Sequence, residues 1–134
     1  MEHQARGTFE VTLAPLPPSD EAQEANLGRL SINKRFDGDL VATSRGEMMS
    51  HRSAREGSAG YVAMERVSGT LLGRAGSFVL QHTGTMDRGA PHLSIHVVPD
   101  SGTDGLVGLA GAMEIVIRDG KHVYAFEFEF RPSR

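Results

Sequence analysis

The sequence predicts an all-β protein, an antiparallel eight-stranded β-barrel with little helix. Short segments of alternating apolar and polar residues recur along the chain, separated by Asp-Gly and other glycine-containing turns. No segment has the length and helical periodicity needed to cover a sheet face. Closing the sheet would bury its apolar face and remove free strand edges, so a barrel is favoured, with a two-sheet sandwich as the alternative. The 134 residues predict one barrel domain, 1–134, with frayed ends at 1–5 and 131–134.

The first predicted strand covers residues 7–13, where Phe9, Val11 and Leu13 share one face. Prolines follow directly and end it, because proline cannot donate to a β-ladder. Residues 14–26 are expected to form a surface crossover that contains a short helical turn capped by Ser19.

The next two strands, residues 27–36 and 40–50, form a hairpin around Asp37-Gly38-Asp39. A three-residue loop with Gly38 in the left-handed conformation keeps the apolar residues of both strands on one face. That inward face comprises Leu30, Ile32, Leu40, Ala42, Ser44, Gly46 and Met48. Its small residues predict free space inside the barrel.

Residues 60–72 and 77–86 form a second predicted hairpin around the loop 73–76. Its more apolar face, expected to point inward, carries Tyr61, Ala63, Glu65, Val67, Leu71, Phe78, Leu80, His82 and Gly84. Glu65 and His82 therefore point into the barrel, diagonally across the ladder and within reach of each other.

The rest of the chain predicts a strand at residues 93–97, a glycine-rich corner at 101–111 and a last hairpin. The corner is expected to plug one end of the barrel. In the last hairpin, residues 112–117 and 122–130 flank the two-residue turn Asp119-Gly120. This register places Met113, Tyr124 and Phe126 on one inward face.

Charge and residue composition argue against several classes of function: nucleic-acid binding, membrane insertion and metal binding. A net charge of −3 and a pI near 6.0 argue against a nucleic-acid partner. The chain has no apolar run long enough for a membrane span and no signal-peptide pattern, so we expect a cytoplasmic protein. No cofactor or metal site is expected: there is no cysteine, and His92 and His96 lie about 13 Å apart on an extended strand.

Two stretches resemble a known family. Residues 69–84, which read Gly-Thr-Leu-Leu-Gly-Arg-Ala-Gly-Ser-Phe-Val-Leu-Gln-His-Thr-Gly, and the glycines of 101–111 are similar to a bacterial domain family of unknown function. That family is grouped with the allene-oxide-cyclase-like barrels, and residues 102–106 also resemble the glycine corner of plant allene oxide cyclases and dirigent proteins. The resemblance implies a compact, often oligomeric eight-stranded barrel. It implies no catalytic residue here.

Three functions remain open. The first is binding of a small apolar or amphipathic molecule inside the barrel. The second is an isomerase or cyclase in which Glu65 and His82 act as an acid–base pair. The third is a filled barrel that serves as an oligomeric scaffold, a homodimer or small homo-oligomer if outward residues such as Met64, Val79, Val116 and Val123 are contiguous. The predicted ligand-binding residues are Ser44, Tyr61, Glu65, His82, Met113, Tyr124 and Phe126.

Overall fold

The computed structural model describes residues 3–132 and shows a closed antiparallel β-barrel in which each strand pairs with the next and the last with the first. The strands are β1 (His3–Pro15), β2 (Gly28–Gly38), β3 (Leu40–Arg52), β4 (Ala59–Leu71), β5 (Arg74–Asp87), β6 (Ala90–Val97), β7 (Leu109–Arg118) and β8 (Lys121–Phe130). The helix α1 (Asp20–Glu24) and a 3₁₀ turn, Asp104–Leu106, are the only helical elements in the described part of the chain. The predicted all-β, eight-stranded barrel is confirmed.

The first and last hairpins follow the turn chemistry of the sequence. In the first, Gly38 has φ +104°, and the pairing of Phe36 with Ala42 preserves the predicted inward face. In the last, Met113 pairs with Phe126 across the predicted Asp119-Gly120 turn. In the last hairpin, apolar alternation and turn residues specify the same register, which is why its prediction succeeds. In the first, the predicted three-residue loop would pair Phe36 with Leu40, so the inward face is as predicted but the register is shifted by two residues.

The second hairpin differs from its predicted register by four residues. The turn is Leu72-Gly73, with φ +47° and +85°, and β5 begins at Arg74 instead of residue 77. Glu65 consequently pairs with Leu80, not with Gly84. A two-residue turn with both central residues at positive φ matches the twist of the strands, and Leu72 adopts this strained conformation. A shift of an even number leaves the inward face unchanged, so Glu65 and His82 still point inward.

The predicted fraying of residues 1–5 is wrong from His3 onwards, and Met1 and Glu2 lie outside the described residues. His3 pairs with Phe128, and Ala5 pairs with Phe126 and is completely buried. β1 begins early because it must pair with β8 to close the barrel. At the other terminus, Arg131 N–H donates to the carbonyl of Gly108 at 2.8 Å, and residues 133–134 are outside the described range.

The glycine corner closes one end of the barrel. Ser101 Oγ accepts from Val79 N–H and Thr103 Oγ1 from Ser77 N–H, both at 3.0 Å, which fixes the corner along β5. Leu106 is thereby packed into the hydrophobic core. A Cβ at Gly102 would collide with the carbonyl of Leu106, so this tight approach requires glycine. The corner acts as the plug of this end.

The opposite end of the barrel carries the β1–β2 crossover with α1 but leaves several large apolar side chains uncovered. It is formed by the ends of β1, β3, β5 and β7 and the starts of β2, β4, β6 and β8. Four large apolar side chains of the inward-facing sets are 41–71% exposed there: Leu13, Met86, Leu93 and Ile117. In contrast, the inward-facing leucines of the plugged end, Leu40, Leu71 and Leu109, are each 1% exposed. The barrel therefore has one filled end and one open, apolar end, which we call the mouth.

Candidate functional site

A cluster of four polar side chains lies buried beneath the mouth. It consists of Lys34, Ser44, Glu65 and His82, one residue from each of β2 to β5. Each lies four residues along its strand from a residue of the mouth cavity; these cavity residues are Leu30, Met48, Tyr61 and Met86. At about 3.3 Å per residue, these four cavity residues lie about 13 Å along their strands from the cluster, and on β5 the cavity also reaches Gly84, two residues from His82.

Glu65 is the centre of this cluster. Its Oε1 accepts from Lys34 Nζ at 2.9 Å and from His82 Nε2 at 2.7 Å, and its Oε2 accepts from Ser44 Oγ at 2.5 Å. A carboxylate is only an acceptor, so Nε2 carries the hydrogen of His82. The side chains of Lys34 and Glu65 are 3% and 0% exposed. The carboxylate is thus held by three donors away from water.

Aromatic rings complete the environment of the Lys34 ammonium. Its Nζ lies 4.8 Å from the ring centroid of Phe9 and 5.7 Å from that of Phe36. Both distances allow cation–π attraction. Removal of a charge from water is costly, and the carboxylate together with the two ring faces offsets that cost.

The pKa of the Glu65 carboxyl reflects these opposing effects. Burial alone raises this pKa, but the His82 hydrogen bond, the Lys34 charge and the hydrogen bonds from Ser44 and Lys34 outweigh it and lower the pKa to about 2. Glu65 is therefore a carboxylate at neutral pH and holds no proton to donate. In any proton transfer, Glu65 would orient His82, and His82 would be the group that moves the proton.

The structure separates the predicted site residues into three groups: the buried cluster, the hydrophobic core and Tyr61 at the mouth cavity. Ser44, Glu65 and His82 meet in the buried cluster. Met113, Tyr124 and Phe126 instead belong to the hydrophobic core. The Tyr124 hydroxyl donates to the carbonyl of Asp37 and accepts from Leu40 N–H, both at 2.9 Å, so it holds the β2–β3 turn. A ligand role for these three core residues stays a prediction.

Tyr61 is the predicted residue that lines the mouth cavity. This cavity has a volume of about 380 Å³ and is mainly apolar. Its lining comprises Leu30, Met48, Ser50, His51, Arg52, Ala59, Gly60, Tyr61, Gly84, Thr85, Met86, Pro91, His92 and Leu93. The Tyr61 ring lies over Gly84, where a Cβ would approach the ring to 2.3 Å. Burial, and secondarily the Glu65 charge, raise the pKa of Tyr61, so its hydroxyl remains a hydrogen-bond donor at neutral pH.

Sequence reasoning missed Lys34, although the signal was present. Ile32 faces inward by alternation, and Lys34 and Phe36 follow at steps of two, so Lys34 must share their face. A lysine between two apolar inward positions is unusual, because lysine is almost never buried without a partner. The inward-pointing Glu65 on β4 supplied that partner.

The fold and the cluster define a class: a small β-barrel with one plugged end, one open apolar end, and a buried ionic cluster between them. Residues 5–128 match the model of a family described as proteins of unknown function, DUF3224. The chain belongs to this family, and the prediction of a family without known function is confirmed. Membership in the allene-oxide-cyclase-like superfamily stays a prediction.

A solved structure of the same family is closely similar. It is a protein of unknown function from Shewanella oneidensis MR-1, 47% identical, with a TM-score of 0.92 over 99% of this chain and 100% of the other. No curated protein matches the chain. Among residues 3–132, no helix has the length and hydropathy of a membrane span.

Proposed function

We propose that this protein binds a small apolar or amphipathic molecule in the mouth cavity. The observation that carries the proposal is the contrast between the two ends of the barrel. At the plugged end the inward leucines are buried, whereas Met86 and Leu93, which face inward at the mouth and line the cavity, remain 41% and 46% exposed. Exposed apolar side chains around a concavity are typical of a binding site.

The size of the mouth cavity supports a small ligand. Its volume of about 380 Å³ lies at the lower end of the ~300–1,000 Å³ typical of small-molecule sites. The lining combines aliphatic side chains such as Leu30, Met48 and Leu93 with polar groups such as Ser50 and the Tyr61 hydroxyl. The proposed ligand would therefore lie nearer the open end than the site predicted from the sequence, above the buried cluster.

A fluorescence titration tests the proposal with Nile red, a neutral apolar dye. We expect saturable binding to the wild type and about fivefold weaker binding to Leu93→Gln, because a half-exposed leucine contributes about 1 kcal/mol of apolar contact. Val41→Gln is the matched control, since Val41 is 55% exposed on the outer face of β3 and Leu93 is 46% exposed at the mouth. Equal affinity of the two variants, or no saturable binding, would refute the proposal.

A second candidate, an isomerase or cyclase, rests on the hydrogen bond between His82 and Glu65. A carboxylate that fixes one imidazole nitrogen leaves the other, Nδ1, available to take up a proton. Turnover of an identified ligand that is unchanged in His82→Gln would exclude this candidate.

The scaffold function has weaker support than ligand binding, because the outer apolar residues do not lie together. Val116 pairs with Val123 across β7 and β8, whereas Met64 lies on β4 and Val79 on β5. These two pairs of strands are separated around the barrel, so the four residues do not form one patch. Light scattering of the purified protein that shows a stable dimer or ring at micromolar concentration would favour this function.

A further inference from the structure

We propose that the mouth cavity selects an anionic amphiphile, with an alkyl or aryl body on the apolar wall and a carboxylate or similar anionic head beside Arg52 and His92. This inference rests on the proposed ligand-binding function and adds the charge of the ligand. The basis is the set of charged or basic side chains in the cavity lining, which are one arginine and two histidines, with no carboxylate.

The lining contains Arg52, His51 and His92 but no aspartate or glutamate. The acidic residues next to the lining in the sequence, Glu47, Glu56 and Asp87, are not part of it. Within residues 3–132, Arg52 takes part in none of the ion pairs, so its guanidinium is not neutralised by a carboxylate of the protein. An uncompensated guanidinium beside an apolar wall favours an anionic head group.

This distribution is unusual for the molecule, which has a net charge of −3. Three other cavities each carry at least one carboxylate. Glu127 lines the cleft between β6 and β7, Glu47 the outer groove of β3 to β5, and Glu10 the cavity beside the last turn. The mouth is thus a locally positive and apolar site on an acidic protein, and the field of its cations would attract anions.

The polar groups of the mouth divide into a basic rim and an inner donor. The ring nitrogen His51 Nδ1 donates to the carbonyl of Asn26 at 3.0 Å, which fixes this imidazole near the end of β3. Arg52 follows it, and His92 lies on β6 on another side of the cavity. Deeper in the cavity, the Tyr61 hydroxyl is a further donor. An amphiphile with its head at the rim would therefore meet hydrogen-bond donors, while its chain contacts Leu30, Met48 and Leu93.

The test uses three probes that share a ten-carbon chain and differ in head group: decanoate, decanol and decyltrimethylammonium. Each is titrated below its micellar concentration, at pH 7 and low salt, as a competitor of Nile red. We expect decanoate to bind at least tenfold more tightly than decyltrimethylammonium, with decanol between them. Arg52→Gln should weaken decanoate severalfold and leave decanol unchanged, because it removes charge and little apolar surface.

Arg45→Gln is the charge-matched control, since Arg45 lies on the same strand, outside the cavity lining. It should leave decanoate affinity unchanged. If all three probes compete equally, or if Arg45→Gln and Arg52→Gln weaken decanoate equally, the inference is overturned and the ligand-binding function remains. If Nile red and decanol also fail to bind, the proposed function itself is wrong, and the inference fails with it.

Discussion

Lys34→Met isolates the energetic role of the buried ionic cluster. The substitution keeps an unbranched chain of similar length against Phe9 and Phe36 and removes the ammonium that lies 2.9 Å from Glu65 Oε1. Glu65 then remains as a carboxylate with no exposed surface and without its permanent countercharge. Removal of one partner of a buried pair typically costs about 3–5 kcal/mol, since the other charge is left uncompensated.

Urea denaturation at pH 7 measures this loss. In a thermal melt of a domain of this size, a loss of 3–5 kcal/mol corresponds to a fall of roughly 10–20 °C in Tm. The chain has one other lysine, Lys121, which is exposed, so Lys121→Met is the control and should change stability by less than about 0.5 kcal/mol. The double variant Lys34→Met/Glu65→Gln should recover much of the loss, because neither charge remains. Equal stability of Lys34→Met and Lys121→Met would refute the account of the cluster.

Three further predictions concern stability. Because the pKa of Glu65 is lowered to about 2 in the folded protein, its contribution is present above the unfolded value of about 4.5 and is lost as pH falls towards 2. Over that pH range, the free energy of unfolding of the wild type should fall by about 3 kcal/mol more than that of Glu65→Gln, as measured by urea denaturation. Equal falls in both proteins would show that the Glu65 carboxylate does not stabilise the fold. Tyr124→Phe should cost about 1–3 kcal/mol, because Leu40 N–H loses its buried acceptor; a neutral effect by thermal denaturation would show that this bond contributes nothing. Leu106→Ala should cost about 2–5 kcal/mol in urea denaturation by opening a cavity at the plugged end, and a cost below 1 kcal/mol would contradict the plug.

Much of the fold follows from the sequence because turn chemistry and alternation agree. The Asp119-Gly120 hairpin has its register specified by the turn and again by the aromatic face that includes Phe126. Between β4 and β5 the two kinds of information conflict. Two glycines, Gly73 and Gly76, offer alternative turns, and the structure uses Leu72 at positive φ. Alternation fixes the face in both cases, whereas local pattern alone cannot decide a shift by an even number of residues.

The sequence predicts which polar side chains meet inside the barrel, but it does not predict where along the barrel axis the open cavity lies. Alternation brought Glu65 and His82 to one interior, and they are hydrogen-bonded at 2.7 Å. The same alternation places Lys34 inward, although a charged residue suggests an outward position. The division of the barrel into a filled and an open end depends on strand lengths and on the packing of the glycine corner. These are properties of the closed barrel and are not visible in any single hairpin.

The most direct test of the open mouth as a binding site is a ¹⁵N-labelled NMR titration with decanoate. The account predicts dose-dependent shifts of amides around the cavity, including Gly60, Gly84 and Leu93, with little change at Leu106 and Leu109 in the plugged end. Shifts confined to the outer groove near Met64, or to the plugged end, would contradict it.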